Sequence, residues 1–241
     1  MKIRLVRAVT TKEFDARWLD ELSAVARPDT DLSVVCLDKG PASIESNYED
    51  ALAVPDTVEK IVQAEKDGMD AVISYCMLDP GVEAAREMVC IPVIGPAETS
   101  MHIAAMLGHR FSVVTVLDRL LPAFDDRAAE AGVERQLASV RSVDIPVLEL
   151  HDRRRAVSAI VEQSVRAVRE DGAHLIIFGC TGMAGMAKDV EEGLRREGIA
   201  DVPVIDPAIL ALKIAEALAD MGLSHSKRTY PAPPEKEIVG Y

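Results

Sequence analysis

Two cysteines in this chain end similar apolar segments, and a thiol in such a position can carry a proton to or from carbon. Cys76 ends residues 70–76 (DAVISYC), and Cys180 ends residues 174–180 (HLIIFGC). Residues 77–81 (MLDPG) follow Cys76 and residues 181–183 (TGM) follow Cys180, and a segment of helical periodicity comes next in each case. If both thiols face one cleft, a thiolate on one side can remove a proton from carbon and a thiol on the other can return one. The pair therefore predicts stereoinversion without a cofactor.

The two cysteine segments are parts of a longer internal repeat. Each leads through its helical segment into a phrase containing Pro-Val-Ile, at residues 91–97 (IPVIGPA) and at residues 202–208 (VPVIDPA). Four features that match in the same order indicate a duplication. The sequence therefore predicts two related halves, each with one cysteine at the end of a core strand.

Hydrophobic periodicity along the rest of the chain predicts strands and helices that alternate. Predicted strands cover the first Pro-Val-Ile phrase and residues 2–9, 31–37, 71–76, 110–116, 140–148, 175–179 and 202–205. Predicted helices cover residues 13–26, 57–67, 80–89, 97–107, 120–131, 153–171, 183–197 and 208–221. Thr99 or Ser100 is the expected cap of the fourth helix. Residues 38–50 are expected to form a polar loop at the end of a strand, where a loop either lines a site or only connects two elements.

The alternation of strands and helices predicts an α/β fold with parallel sheets covered on both faces. Residues 1–98 together with 207–241 are assigned to a first domain that contains Cys76, and residues 99–206 to a second that contains Cys180. Ligands of parallel α/β sheets bind outside the carboxyl ends of the strands, where both cysteines lie. Because a helix begins after each cysteine, we expect its N-terminus to lower the thiol pKa below the usual value of about 8.5.

Composition bounds the classes of function. The chain has 241 residues, of which 49% are hydrophobic and 4% aromatic, and a formal net charge of −13. That charge disfavours nucleic acid and anionic membrane surfaces as partners, but it does not reveal a substrate. The two strand-end cysteines predict a small-molecule substrate. No apolar run approaches the roughly 18 residues of a membrane span, and no signal peptide is visible. The sequence therefore predicts a cytoplasmic protein with free thiols, and the absence of C-x-x-C or paired histidines predicts no metal site.

Several phrases, in order, resemble the aspartate/glutamate/hydantoin racemase superfamily, and most closely its hydantoin racemase branch. These phrases are residues 40–46 (GPASIES), Cys76 followed by residues 79–81 (DPG), residues 92–98 (PVIGPAE), residues 111–115 (FSVVT) and residues 179–183 (GCTGM). Together they span roughly residues 40–210. The resemblance implies two pseudo-symmetric α/β domains, an active site in the cleft between them and no cofactor. It also implies a homo-oligomer.

The resemblance assigns roles to individual residues. Cys76 and Cys180 are the implied acid and base on opposite faces of an acidic carbon. The implied substrate-binding residues are Thr10, Ser43, Met77, Leu78, Thr115, Thr181 and Gly182. No metal ligand is implied.

Two departures from the usual patterns bear on the substrate. Aspartate and glutamate racemases usually follow the first cysteine with Asn-Thr, which helps to hold a carboxylate, whereas this chain has Met77 and Leu78. An acidic amino acid is therefore disfavoured. The hydantoin branch usually has Asn-Pro-Asn after the first strand, whereas residues 8–11 here are AVTT. The expected activity is racemisation or epimerisation at a carbon next to a carbonyl, with a 5-substituted hydantoin or a related amino-acid derivative as substrate.

Two alternatives stay open from the sequence. The first is a cis–trans isomerase or decarboxylase of the same superfamily, in which one cysteine acts as nucleophile or proton donor. The second is a non-catalytic protein that binds a small molecule in the same cleft, because a fold does not fix a function.

Overall fold

The computed structural model describes the backbone of residues 1–12 and 15–237, and the side chains of this set apart from residues 15–18. The first two residues of the helix predicted at 13–26 lie outside it, as do residues 238–241 of the tail assigned to the first domain. The strands are β1 (Lys2–Arg7), β2 (Asp31–Cys36), β3 (Ala71–Ser74), β4 (Val93–Ile94), β5 (Phe111–Thr115), β6 (Leu137–Ser142), β7 (Leu175–Phe178) and β8 (Val204–Ile205). The α-helices are α1 (Asp15–Val25), α2 (Asn47–Lys66), α3 (Val82–Met88), α4 (Pro96–Leu107), α5 (Leu121–Glu130), α6 (Arg153–Asp171), α7 (Ala187–Arg196) and α8 (Pro207–Met221).

The strands form two four-stranded parallel sheets with matching topology. One sheet has the order β2-β1-β3-β4 and the other has the order β6-β5-β7-β8. In both, the strand that precedes a cysteine, β3 or β7, pairs with two neighbours. The predicted α/β fold with two similar parallel sheets is confirmed. β1–β4 fall within residues 1–98 and β5–β8 within residues 99–206, while α8 packs against α4 and β3. The domain boundaries themselves stay a prediction.

Burial explains why the central strands read as continuous apolar runs. Every residue of β3, β5 and β7 is buried, because helices cover both faces of a parallel sheet. β2 and β6 are only half-buried, as expected for strands at the edge of each sheet. The loops that follow β3 and β7 therefore leave rigid, fully packed strands.

Helix α2 begins ten residues earlier than predicted, at Asn47. Ser46 caps it, since the Ser46 hydroxyl accepts a hydrogen bond from the backbone N–H of Glu49 at 3.3 Å. The Glu49 carboxylate accepts in turn from the Ser46 hydroxyl at 3.0 Å, so the two residues form a capping arrangement. The prediction that residues 44–50 belong to a loop is therefore wrong beyond Ser46. Pro55 lies inside this helix and hid it from the periodicity argument.

Two other boundaries differ from prediction for identifiable reasons. The strand predicted at residues 140–148 ends at Ser142, because Asp144 adopts a left-handed conformation (φ 52°) and Pro146 follows. A 3₁₀ helix, Val147–Glu149, takes the place of the last part. The helix predicted at residues 183–197 begins only at Ala187, after a second 3₁₀ helix (Thr181–Met183) and a left-handed glycine.

The expected cap of α4 by Thr99 or Ser100 is also wrong. The helix begins at Pro96, and Gly95 occupies the cap position without a side chain to offer. Both predicted residues lie inside the first turns. The carboxylate of Asp79, from the loop between β3 and α3, accepts hydrogen bonds from the N–H groups at this helix start instead.

Among the residues that the structure covers, no helix combines the length and the apolarity needed to cross a bilayer.

Candidate active site

Cys76 and Cys180 line one cleft, although 104 positions separate them in the chain. About 740 Å³ of space not filled by protein atoms, including its mouth open to solvent, lies between the cleft walls. A concave site with largely apolar walls is typical of small-molecule binding. Both halves contribute to the cleft walls. The lining residues are Arg7, Val9, Thr11, Ala42, Ile44, Tyr75, Cys76, Val147, Leu148, Leu150, His151, Cys180, Thr181, Gly182, Ala184 and Met186.

Cys180 is held at the carboxyl end of β7 by backbone contacts. The preceding Gly179 donates its N–H to the Val114 carbonyl at 2.7 Å, which extends the sheet by one residue. A side chain at Gly179 has no room, because its Cβ would lie 2.6 Å from the Cβ of Thr115. The chain then turns into the 3₁₀ helix, and the Cys180 sulfur accepts a hydrogen bond from the N–H of Gly182 at 3.3 Å. This turn aims the half-buried thiol into the cleft.

Cys76 occupies the corresponding place after β3. Tyr75 donates its N–H to the Val6 carbonyl at 2.8 Å, so the sheet also extends past its last strand residue here. The N–H of Leu78 bonds to the Cys76 thiol, as that of Gly182 does to Cys180. Both cysteines therefore directly follow a sheet extension and begin a turn, and the N–H two residues later points back at sulfur.

The electrostatic environment of both thiols differs from the sequence-based expectation. Burial is the largest cause that raises the pKa of Cys180, to about 11, against a lowering by the Gly182 N–H. Burial also raises the pKa of Cys76 well above its usual value, and the negative charge of Asp50 adds to this. The expected lowering by a helix N-terminus is wrong, because one N–H bond to each sulfur does not offset the loss of water.

The structure brings together only part of the predicted site. Cys76, Cys180, Thr181 and Gly182 line the cleft. The other predicted substrate-binding residues are outside its lining: Thr10, Ser43, Met77, Leu78 and Thr115. Their contact with substrate stays a prediction.

These five residues have other surroundings in the structure. Met77 and Thr115 are buried, and the Thr115 hydroxyl donates to the Gly179 carbonyl at 3.3 Å, directly below Cys180. The Thr10 hydroxyl donates to the Pro41 carbonyl at 3.2 Å. Leu78 lines a separate polar cavity, and Ser43 is half-buried between two residues that do line the cleft.

The sequence analysis missed the polar residues Arg7, Thr11, Tyr75 and His151 of the cleft. Arg7 is the last residue of β1, is almost fully buried, and donates from Nη1 to the Thr11 carbonyl at 3.0 Å. Tyr75 directly precedes Cys76. The rule that ligands bind at the carboxyl ends of strands was a signal for Arg7 and Tyr75.

The apolar residues of the cleft come largely from three loops, of which the one predicted at residues 38–50 was considered for a site from the sequence. They are Val9, Ala42, Ile44, Val147, Leu148, Leu150, Ala184 and Met186. Residues 147–150 follow the end of β6. Residues 147 and 148 were expected to be strand, so the wrong element type hid their place in the cleft wall. In the described part of the chain, no group of three or more His, Cys, Asp or Glu is arranged to hold a metal ion.

A buried carboxylate ties the Cys76 loop to helix α4. The oxygens of Asp79 accept from the N–H groups of Ala97 at 2.9 Å and of Glu98 at 2.8 Å. Asp79 has a left-handed backbone (φ 50°), and a Cβ at Gly95 would lie 2.5 Å from its carboxylate. Burial raises the pKa of Asp79 to about 7, although the two N–H bonds act to lower it.

A second buried carboxylate ties the Cys180 loop to helix α8. Asp206 caps this helix, accepting from the N–H groups of Ala208 at 3.0 Å and Ile209 at 3.4 Å. Its other oxygen accepts from the N–H of Gly185, in the loop after Cys180, at 2.7 Å. Burial also raises the pKa of Asp206.

Comparison with known proteins gives one consistent result. A sequence model of the Asp/Glu/Hydantoin racemase family matches residues 3–215. A hydantoin racemase from Pseudomonas sp. (strain NS671) is 38% identical over 100% of this chain and 95% of its own length. One from Rhizobium meliloti is 36% identical over 100% and 98%. The crystal structure of an allantoin racemase from Pseudomonas fluorescens superposes with a TM-score of 0.91 at 39% identity and covers both chains completely.

Proposed function

The chain belongs to the Asp/Glu/hydantoin racemase family, and on that premise we propose that it racemises 5-substituted hydantoins with Cys76 and Cys180 as acid and base. One observation carries the proposal: two thiols, each at the same place on one of two matching sheets, line the same cleft. A carbon bound between them has one sulfur available on each face.

The proposed reaction needs no group beyond these thiols. One cysteine, as thiolate, removes the proton from C5 of the ring, and the electron pair moves onto the adjacent carbonyl oxygen. The other cysteine, as thiol, donates its proton to the opposite face and becomes the thiolate. The configuration at C5 is then inverted, and the two sulfurs have exchanged protonation states. The enzyme is ready to convert a molecule of the opposite enantiomer without a further proton transfer.

The raised thiol pKa has two opposite consequences for a carbon acid. A thiolate whose pKa is about 11 is a stronger base than an ordinary cysteine, but only a small fraction of that thiol is ionised near neutral pH. A hydantoin assists further, because no carboxylate opposes the negative charge that develops on the ring. A free amino acid carries such a carboxylate, and Met77 and Leu78 stand where an Asn-Thr pair would help to hold it.

The cleft walls favour an apolar 5-substituent. Ile44 from the first half and Leu148, Leu150 and Met186 from the second line the space around the thiols. An apolar side chain of the substrate gains by leaving water for such a wall, about 25 cal/mol for each Å² buried. The ureido substituent of allantoin would instead bury polar groups there, which costs free energy unless each finds a partner.

The testing experiment is proton NMR in D₂O with resolved enantiomers of 5-benzylhydantoin, 5-isobutylhydantoin and allantoin, and with free amino acids. We expect deuterium at C5 together with loss of optical activity, fastest for the two apolar hydantoins. The Cys76→Ser/Cys180→Ser double variant serves as the control and should be inactive. Exchange of allantoin alone would contradict the proposed side-chain preference.

The two alternatives from the sequence give different results in the same spectra. An isomerase of double bonds or a decarboxylase would leave the whole panel unexchanged and turn over an unsaturated or malonate-type acid. A binding protein would be stabilised by a ligand in the wild type and in the double variant without any turnover. A cytoplasmic location and a homo-oligomeric state belong to the same proposal, and analytical ultracentrifugation tests the second.

A further inference from the structure

One carboxylate crosses from the first half of the molecule to the second at the cleft. Glu45 Oε1 accepts a hydrogen bond from the backbone N–H of Val147 at 2.7 Å, and 102 positions separate the two residues. Their surroundings connect this bond to the site, because Val147 lines the cleft and so does Ile44, the neighbour of Glu45. The bond therefore joins two opposite cleft walls.

The first-half end of this bond is anchored to helix α2. Glu45 donates its own N–H to Glu49 Oε2 at 2.7 Å, and the Ser46 hydroxyl donates to the same oxygen at 3.0 Å. These contacts belong to the capping arrangement at the helix start. Since the backbone of Glu45 is fixed in this way, its carboxylate is offered to Val147 with little further loss of conformational freedom.

The second-half end is a short segment whose other bonds are local. Within residues 147–150, the N–H of Leu150 reaches the Val147 carbonyl at 3.2 Å, and Glu149 pairs with Arg155 at 2.8 Å. Both side chains of that ion pair are half-exposed, so it adds little to stability. Neither of these two contacts joins the segment to the first half, whereas the bond from Glu45 does.

The charge of Glu45 also acts on the site. Burial is the largest cause of the raised pKa of Cys180, and the negative charge of Glu45 raises it further. The other ionisable residues that line the cleft are Arg7, Tyr75, Cys76 and His151. Replacing Glu45 by a neutral residue should therefore lower the pKa of Cys180 without altering these four side chains.

We propose that Glu45 is a positioning residue that holds residues 147–150 over the cleft and places a negative charge beside Cys180. The two roles belong to different parts of the carboxylate. Its oxygen accepts the hydrogen bond, and any acceptor of the same shape would serve for that. Its charge acts on the thiol, and only an anion serves for that.

Two substitutions separate these roles. Glu45→Ala removes both, so hydrogen–deuterium exchange of the Val147 amide should accelerate roughly tenfold, and the KM for an apolar hydantoin should rise by a similar factor while kcat changes less. Glu45→Gln keeps an acceptor and removes the charge, so the Val147 amide should stay protected. Alkylation of Cys180 by iodoacetamide should then follow a pH profile displaced to lower pH.

Glu149→Gln is the matched control, because it removes a carboxylate from the same segment that does not contact Val147. It should leave both the amide exchange and the Cys180 profile within twofold of the wild type. The proposal fails if Glu45→Ala leaves the Val147 amide protected, or if Glu45→Gln and Glu149→Gln shift the Cys180 profile equally. Although the KM readout rests on the proposed function, amide exchange and alkylation do not need turnover, so the two proposals can fail separately.

Discussion

In both the Cys76 half and the Cys180 half, a buried carboxylate forms a junction between the cysteine loop and the start of a helix. The carboxylate comes from the loop in one half and from the helix start in the other. In the first half the carboxylate lies in the cysteine loop, where Asp79 reaches forward to the start of α4. In the second half it lies at the helix start, where Asp206 reaches back to Gly185 in the cysteine loop. Either way, a buried carboxylate accepts N–H groups at a helix start and fixes the loop that carries a thiol.

The left-handed backbone residue of this junction lies at a different position in each half. Asp79 itself adopts the left-handed conformation (φ 50°), and Gly95 leaves room for its carboxylate. In the second half the left-handed residue is the N–H donor, Gly185 (φ 75°), and Asp206 is extended. Aligning the two Pro-Val-Ile phrases pairs Gly95 with Asp206, so the carboxylate does not come from equivalent positions in the two halves. The contact between loop and helix start is nevertheless repeated.

The largest expected effect comes from removing one thiol at a time, which compares the catalytic contributions of Cys76 and Cys180. We expect Cys76→Ser and Cys180→Ser each to lower racemisation by about a thousandfold, within the range of lost general acid–base catalysis. Each variant keeps one sulfur, which can remove and return a proton on its own face. Deuterium exchange without inversion should therefore survive for one enantiomer in each variant, and for opposite enantiomers. NMR of resolved 5-benzylhydantoin in D₂O measures both quantities.

Two outcomes would contradict the two-base assignment. Racemisation retained in either single variant would remove that cysteine from the reaction. Exchange of the same enantiomer in both variants would mean that the two sulfurs do not face opposite sides of the carbon.

The next largest effect is the pH dependence of thiol reactivity. Alkylation needs the thiolate, and burial raises the pKa of Cys180 to about 11. Its alkylation rate should therefore rise about tenfold per pH unit between pH 7 and pH 10 without reaching a plateau. Cys76 should react more slowly at each pH, because the negative charges of both Asp50 and Asp79 oppose its ionisation.

Peptide mass spectrometry after a timed iodoacetamide pulse measures both sites in one sample. The exposed Cys90 provides an internal reference for reagent quality. A plateau near neutral pH at Cys76 or Cys180 would mean that its pKa is not raised in the free enzyme, and the base strength argued above would be lost for that half.

Much of this comparison could be predicted from the sequence. The repeat, the α/β fold, the racemase family and the isomerase class are confirmed, because apolar runs and short phrases are local signals that survive in a single sequence. The predicted site residues have a different outcome: Cys76, Cys180, Thr181 and Gly182 line the cleft in the structure, and their roles stay proposals. A strand end is a local signal as well, which explains why these four could be found.

What the sequence could not give depends on contacts between distant segments. The pKa of each thiol follows from how deeply the loop is buried, and the sequence shows only that a helix comes next. The approach of Glu45 to Val147 needs the two sheets to be placed side by side. The role of Asp79 as the cap of α4 needs a left-handed residue that is not glycine, which no spacing rule marks.

The buried carboxylates give a smaller effect that should be similar in the two halves. Asp79→Asn and Asp206→Asn each turn one acceptor oxygen into a donor that faces a backbone N–H. We expect a net loss of about 1.5 kcal/mol in the free energy of unfolding for each. A hydrogen bond to a charged group is lost and a donor is left unpaired, whereas asparagine removes part of the cost of burying a charge that the raised pKa of each carboxyl indicates. Asparagine tolerates the left-handed backbone at position 79, so strain adds nothing there.

Urea denaturation at pH 8.5, above the raised pKa of about 7 for Asp79, measures these losses with that carboxylate ionised. The control is Asp126→Asn, which removes an exposed carboxylate and should change stability by less than about 0.5 kcal/mol. If one of the two buried variants is as stable as the control, the junctions are not equivalent, and the comparison between the halves fails at that point.

The smallest expected effect tests whether the two junctions differ as the structure describes. Gly95→Ala places a Cβ 2.5 Å from the Asp79 carboxylate, so that carboxylate must move from the N–H groups of Ala97 and Glu98. Because the obstructing atoms are the end of a side chain, which can tilt, we expect a loss of about 1 kcal/mol, the low end for overpacking. In the Asp79→Ala background the same substitution should cost less, since the obstruction is gone. Equal costs in both backgrounds would mean that Gly95 is needed for some reason other than the reach of Asp79.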